Sequence, residues 1–283
     1  MGDGATGRGQ AGVRLRQDGP MPAHVHGHHD DVAPSRSAAL AARARRLWAA
    51  HAAFLLTAVV LLALIAGFSA VTEEVYDGVT DGGGVADVDR SVLDAVGAAR
   101  VPALTLAAQA LAWSGDTVGA TLVALALVAL LWRARRDLTP LVLTAAAMAG
   151  SVLITTLGKS HVGRLRPPHE LALPPLAHSP AFPSGHTLNA TVLLGVVVYL
   201  VLVTPRLRVG GSHARAVVLA AVAAALYVLA MGLSRVYLAA HWLTDVMAGW
   251  AIGVGWVLAV VLAHRVWLTV RGRRSGAPAS LAP

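Results

Sequence analysis

The chain contains no cysteine among its 283 residues. That absence excludes a disulfide scaffold, a thiolate-held zinc or iron-sulfur centre and a cysteine nucleophile. Charge is scarce as well: 13% of residues are charged, against about a quarter in an ordinary soluble domain, which argues against a water-soluble globule. Lysine is rarer still, for of the 23 lysines and arginines only Lys159 is lysine. Codon bias toward arginine explains the missing lysines but not the one that remains.

What is abundant is apolar sequence, 56% of the chain. Six stretches carry no charge and have the length of a membrane-crossing helix, roughly 17 to 25 residues: Phe54 to Val71, Thr117 to Trp132, Leu138 to Gly158, Thr187 to Thr204, Ala216 to Ser234 and Val246 to Ala263. A soluble protein of this size could not cover six such helices, so the pattern predicts an all-α, polytopic membrane protein with six transmembrane helices. A seventh run, Val101 to Ser114, is too short to span and holds Gln109; it predicts an interfacial or partly buried helix. Residues 1–46 read as a disordered basic cytoplasmic tail, 47–270 as the membrane domain and 271–283 as a second cytoplasmic tail. In the first tail His24, His26, His28 and His29 read as a solvated low-complexity tract.

The arginines fix an orientation, because cytoplasmic loops hold excess Lys and Arg. Arg43, Arg45 and Arg46 precede the first span, Arg133, Arg135 and Arg136 follow the second, Arg206, Arg208 and Arg215 follow the fourth, and Arg265, Arg271, Arg273 and Arg274 follow the sixth. These ends and both termini are expected on the cytoplasmic side. The segment from Thr72 to Ser114 instead has Glu73, Glu74, Asp77, Asp81, Asp87, Asp89 and Asp94 against Arg90 and Arg100, and is expected outside, with Asp81 to Asp87 as a flexible Gly-rich linker. The net charge of +8 thus reports orientation. Spread over loops without an aromatic-interleaved stripe, it gives no nucleic-acid surface. Gly249 and Gly253 form a small-xxx-small pair suited to close helix packing.

With that topology three polar clusters meet at the outer face. The first is Lys159 to Arg166-Pro167, the second Pro183-Ser184-Gly185-His186, the third Ser234-Arg235 followed by His241 and Asp245. Lys159, Arg166 and Arg235 supply a point charge and two planar forks, the complement of a phosphoryl group. Ser184 and Gly185 sit where a helix begins and its free amides favour anions. His241 and Asp245, four apart, are expected on one helical face, with the carboxylate holding one ring nitrogen. Each cluster alone has a plain alternative: head-group anchoring, a structural His-Asp pair, or Ser184 acting only as a cap. Gly158-Lys159-Ser160 mimics the end of a P-loop, but the required earlier glycine is Leu153 within a span, which excludes nucleotide binding by that route.

Together the blocks resemble the type 2 phosphatidic acid phosphatase superfamily, whose signature is a lysine, six residues and Arg-Pro; then Pro-Ser-Gly-His; then Ser-Arg, five residues, His, three residues and Asp. Every position is filled, and the resemblance covers about residues 50–270. It implies a membrane lipid phosphatase that needs no metal or other cofactor. His241 would be the nucleophile forming a phosphohistidine, Asp245 its orienting partner, and His186 the acid for the leaving oxygen and then the base for water. Lys159, Arg166, Ser184, Gly185 and Arg235 would bind the phosphoryl oxygens. Its partners would be the bilayer and a lipid phosphate: undecaprenyl diphosphate is favoured by the outward site, with phosphatidic acid and phosphatidylglycerophosphate open. A transporter and a noncatalytic lipid-phosphate binder are the rival classes; a transporter would place ionisable residues in mid-membrane. With both histidines near 6.5, a bell-shaped rate profile is expected around pH 6 to 7.5.

Overall fold

The computed structural model describes residues 85–274 continuously and a few isolated helical positions before them. The expected first span, the linker residues 81–84, the histidine tract and both tails lie wholly or largely outside the described residues, and so do the predicted domain limits. Contacts divide the chain at Trp48, and the fold described here lies in the unit Ala49–Pro283.

Seven α-helices and one 3-10 turn form this region: α1 Val85–Ala98, α2 Pro102–Ser114, α3 Thr117–Arg135, α4 Thr139–Val162, the turn His169–Leu171, α5 Gly185–Leu202, α6 His213–Tyr237 and α7 Leu243–Arg274. Among the described residues α3 to α7 are the five helices long and apolar enough to cross a bilayer. They correspond to the second to sixth expected spans, with shifted ends. The main shifts lie where helix continues past the charge that closed the apolar run: α4 carries Lys159 and α6 carries Arg235 on their last turns, and α7 runs on past Ala263 through Arg265 to Arg274.

Helix α5 is the axis of the bundle and packs against α4, α6 and α7. Leu188, Val192, Val196 and Leu200, spaced by four, form a fully buried stripe along it, joined by Ala147, Ala248 and Ile252 from its neighbours. The other long helices expose large apolar side chains such as Leu122, Val142, Leu153, Leu226 and Leu233, as helices do when lipid replaces water at their outer face. Gly249 and Gly253 let α7 approach α5. A Cβ at Gly253 would stand 2.7 Å from Thr191 Cβ, and one at Gly249 3.1 Å from the Ser184 carbonyl oxygen, so the small-xxx-small pair does the packing expected of it.

Where it is described, from Val85 to Ser114, the segment expected as an outer loop is largely helical. α1 begins at Val85, so the last residues of the expected linker are already helix. α2 is the short helix expected over residues 101–114. It buries Ala108 and Ala112 against Leu238 and exposes Leu104, Leu106 and Trp113. α4 ends at Gly163, whose φ of 63° and amide bond to Lys159 O (3.1 Å) make a left-handed cap. Glycine meets that conformation without a Cβ penalty, and the turn throws Arg164 to Pro167 back across the helix ends.

Candidate active site

The end of α4, the start of α5, the end of α6 and the start of α7 lie at one end of the bundle, and their polar residues converge there. The centre is His241. It is buried and lies in the turn before α7, not on the helix as the four-residue spacing suggested. Asp245, in the first turn of α7, reaches back instead: its Oδ2 accepts from the amide of Trp242 at 2.9 Å and lies 3.4 Å from His241 Nδ1. This is the backward half of a capping box, and it places a carboxylate at the positive end of a helix.

The other ring nitrogen of His241, Nε2, lies 3.2 Å from Arg166 Nη1. A guanidinium only donates, so Nε2 must accept, and the proton belongs on Nδ1 facing Asp245. The assignment follows from the hydrogen-bond network, and it leaves a lone pair on the nitrogen that faces the cations. Arg166 is held from several sides: its Nε donates to Ser179 O at 2.7 Å and Nη1 also donates to Ala240 O. Lys159 donates to Pro180 O, to which Arg166 Nη2 also points at 3.5 Å. Arg235, only 1% exposed, is the largest fully buried side chain among the described residues. Its backbone carbonyl accepts from the amides of Ala240 (3.0 Å) and His241 (3.2 Å), which binds the end of α6 to the histidine turn.

Among the described residues, three buried side-chain nitrogens at this end have no partner: the donors Arg235 Nε and Arg235 Nη1, and the ring nitrogen His186 Nε2. His186, on the first turn of α5, lies within electrostatic reach of Arg235, His241 and Arg166, and the α2–α3 turn closes over it, since a Cβ at Gly115 would stand 3.0 Å from its Cδ2. Buried polar atoms are almost always paired, so the unpaired Arg235 donors, with Arg166 beside the lone pair of His241 Nε2, suit an acceptor-rich group. Ser184 is fully buried at the N-cap of α5. Its hydroxyl pairs with Thr187 Oγ1 at 2.9 Å and makes no capping bond. Helical bonding in α5 starts at Leu188 N to Ser184 O, which leaves the amides of the first turn, beginning at Gly185, pointing out of the helix end.

The sequence reading missed three residues of this centre. Arg164, two positions before Arg166, is buried and donates to Asp245 Oδ1 at 2.6 Å; it pairs also with Asp89 of α1 at 2.7 Å, and Thr244 bonds both. The loop histidines His169 and His178 are exposed, in keeping with solvated positions. They line an open cavity of about 290 Å³ beside Arg166 and Ser179.

Burial lowers His241 to about 4, with Arg166 and Arg235 adding to the effect against the opposing carboxylate of Asp245. The neutral imidazole therefore persists well below pH 6.5. If His241 must be neutral to attack, kcat/KM should hold its value on the acid side down to about pH 5 and fall below that. This moves the acid limb expected from unperturbed histidine; a half-point near 6.5 would mean that the working ring is solvated.

Residues 140–268 match the PAP2 superfamily. The chain is similar to phosphatidylglycerophosphatase B of Bacillus subtilis (strain 168), with 35% identity over 105 residues, 36% of this chain and 47% of that protein. The chain thus spans about half the length of this relative. Its fold is similar to the crystal structure of a transmembrane PAP2-type phosphatidylglycerolphosphate phosphatase from Bacillus subtilis, at a TM-score of 0.61 and 20% identity, covering 71% of this chain and 93% of that one. The five apolar helices and this fold make the protein a multi-pass membrane protein.

Proposed function

We propose that the protein is a membrane lipid phosphatase that works through a phosphohistidine. The observation that carries this reading is the lone pair of His241 Nε2 beside Arg166, within electrostatic reach of the buried Arg235 guanidinium, whose Nε and Nη1 have no acceptor among the described residues. His241 Nε2 attacks phosphorus while the bond to the leaving oxygen breaks, and the proton for that oxygen comes from His186. His186 then takes a proton from water, which attacks the phosphohistidine and releases inorganic phosphate. Arg166, Arg235, Lys159 and the first amides of α5 meet the charge that develops on the phosphoryl oxygens, and Asp245 stabilises the positive charge that His241 gains.

A lipid substrate is supported by an apolar cavity of about 350 Å³ that starts at His186 and continues between α3, α5 and α6 past Ala190, Leu193, Leu127 and Ala224. An acyl or isoprenyl chain fits such a slot while its phosphate lies among the cations. Orientation by the arginine-rich loops puts the site on the outer face, with both termini in the cytoplasm, and this favours undecaprenyl diphosphate. The names of the two similar Bacillus subtilis proteins favour phosphatidylglycerophosphate instead, and phosphatidic acid shares the same phosphoryl group.

Phosphate release by the purified full chain, assayed on these three lipids with and without EDTA, tests the reading. Release from at least one lipid, unchanged by EDTA, is expected. Release from none would turn the assignment to a transporter or a noncatalytic binder, and loss of activity with EDTA would overturn the metal-free mechanism.

A further inference from the structure

Asp89 comes from an acidic segment, yet it is 2% exposed. Its Oδ1 accepts from the amide of Thr244 at 3.0 Å, and its Oδ2 accepts from the Thr244 hydroxyl at 2.6 Å and from Arg164 Nη2 at 2.7 Å. Arg164 extends its other arm, Nη1, to Asp245 Oδ1 at 2.6 Å and to Thr244 Oγ1 at 2.7 Å. The guanidinium is thus clamped between two buried carboxylates from helices at opposite ends of the sequence. The Trp242 ring stands beside it, 5.6 Å from centroid to Cζ, and the Trp242 indole N–H donates to Leu165 O at 2.9 Å.

The clamp decides what Asp245 is free to do. With Oδ1 held by Arg164, only Oδ2 remains for Trp242 N and His241 Nδ1. That choice puts the imidazole proton on Nδ1 and the lone pair on Nε2. Asp89 in turn holds the other arm of Arg164, so the guanidinium is fixed at both ends. Given the phosphatase reading, on which this rests, we infer that Asp89 and Arg164 are positioning residues for the reaction: they fix the rotamer of Asp245 and, through it, the tautomer and aim of His241. α1 is then a working part of the active site, although it lies outside the region matched to the family.

The test is a double-mutant cycle on the full chain in detergent, with phosphate release as the signal and thermal unfolding as the control for folding. Asp89→Asn is expected to lower kcat about 100-fold, the cost of a slightly misaimed nucleophile, with KM within about twofold because no substrate contact is lost. In an Asp245→Ala background the same substitution should change kcat by less than about twofold, since the residue it acts through is gone. Arg164→Lys should recover part of the kcat lost in Arg164→Met, because a single ammonium still reaches one carboxylate. Should Asp89→Asn not fold, Thr244→Val runs the same cycle, removing only the hydroxyl shared by Asp89 and Arg164. Equal factors in both backgrounds, or a kcat within about threefold of the parent, would overturn the inference and leave the phosphatase standing. An unmodified chain that turns over no phosphate ester would overturn both.

Discussion

His241→Ala should bring phosphate release down to background, a fall on the order of 10⁶ in kcat, as removal of a nucleophile does in other covalent mechanisms. Two features make the loss nearly complete. Nε2 carries the nucleophilic lone pair that the site presents beside its cations, and a water in the vacated space would stand beside the Arg166 guanidinium as a far weaker nucleophile than imidazole. The substituted protein should still insert, because the apolar stripe from Leu188 to Leu200 is untouched. Brief incubation with phosphorus-labelled substrate gives a second readout: the parent should carry acid-labile label and His241→Ala none. Substantial turnover by the variant would remove His241 as nucleophile.

Arg235→Gln should separate activity from stability. Its guanidinium is buried with Nε and Nη1 unpaired, and the carboxylate within electrostatic range is Asp116 at the start of α3. A buried charge without partners costs folding energy. In the phosphoryl complex the same donors meet negative charge, so the substitution should lower kcat/KM by about 10² to 10³, near 3 kcal/mol of transition-state stabilisation. The unfolding temperature of the empty protein should stay level or rise, since a neutral amide relieves the isolated charge. Scanning calorimetry with and without inorganic phosphate checks this: phosphate should stabilise the parent more than the variant. A variant that is less stable when empty would mark Arg235 as structural.

These two residues were legible in the sequence because the chemistry lies in short blocks whose order and spacing survive any error in helix ends. The spans were found by lack of charge, and for that reason their limits were drawn short at Lys159 and Arg235. Both residues continue a helix into the site, where a charge is tolerated because a phosphate is to meet it. Asp89 was not legible. As one of seven acidic residues between Thr72 and α2 it carried topological information, and nothing local distinguishes it from Asp87 or Asp94. Its burial depends on Arg164, 75 positions away. Arg164 and Arg166, two apart, look alike on paper; the Gly163 cap and the bond from Ala181 N to Arg164 O (2.8 Å) send one guanidinium inward and leave the other beside His241. Ser184 shows the opposite case, a block residue whose hydroxyl is already engaged by Thr187.

The clamp between Asp89 and Arg164 also bears on modularity. Both side chains are at most 5% exposed, and removing one partner of a buried ion pair costs about 3 to 5 kcal/mol, a large part of what holds a domain of this size folded. A segment trimmed to residues 140–268 would keep every signature residue and lose the carboxylate that balances Arg164. In recombination with relatives, α1 and the loop between α4 and α5 therefore form one heritable unit, to be exchanged together or not at all.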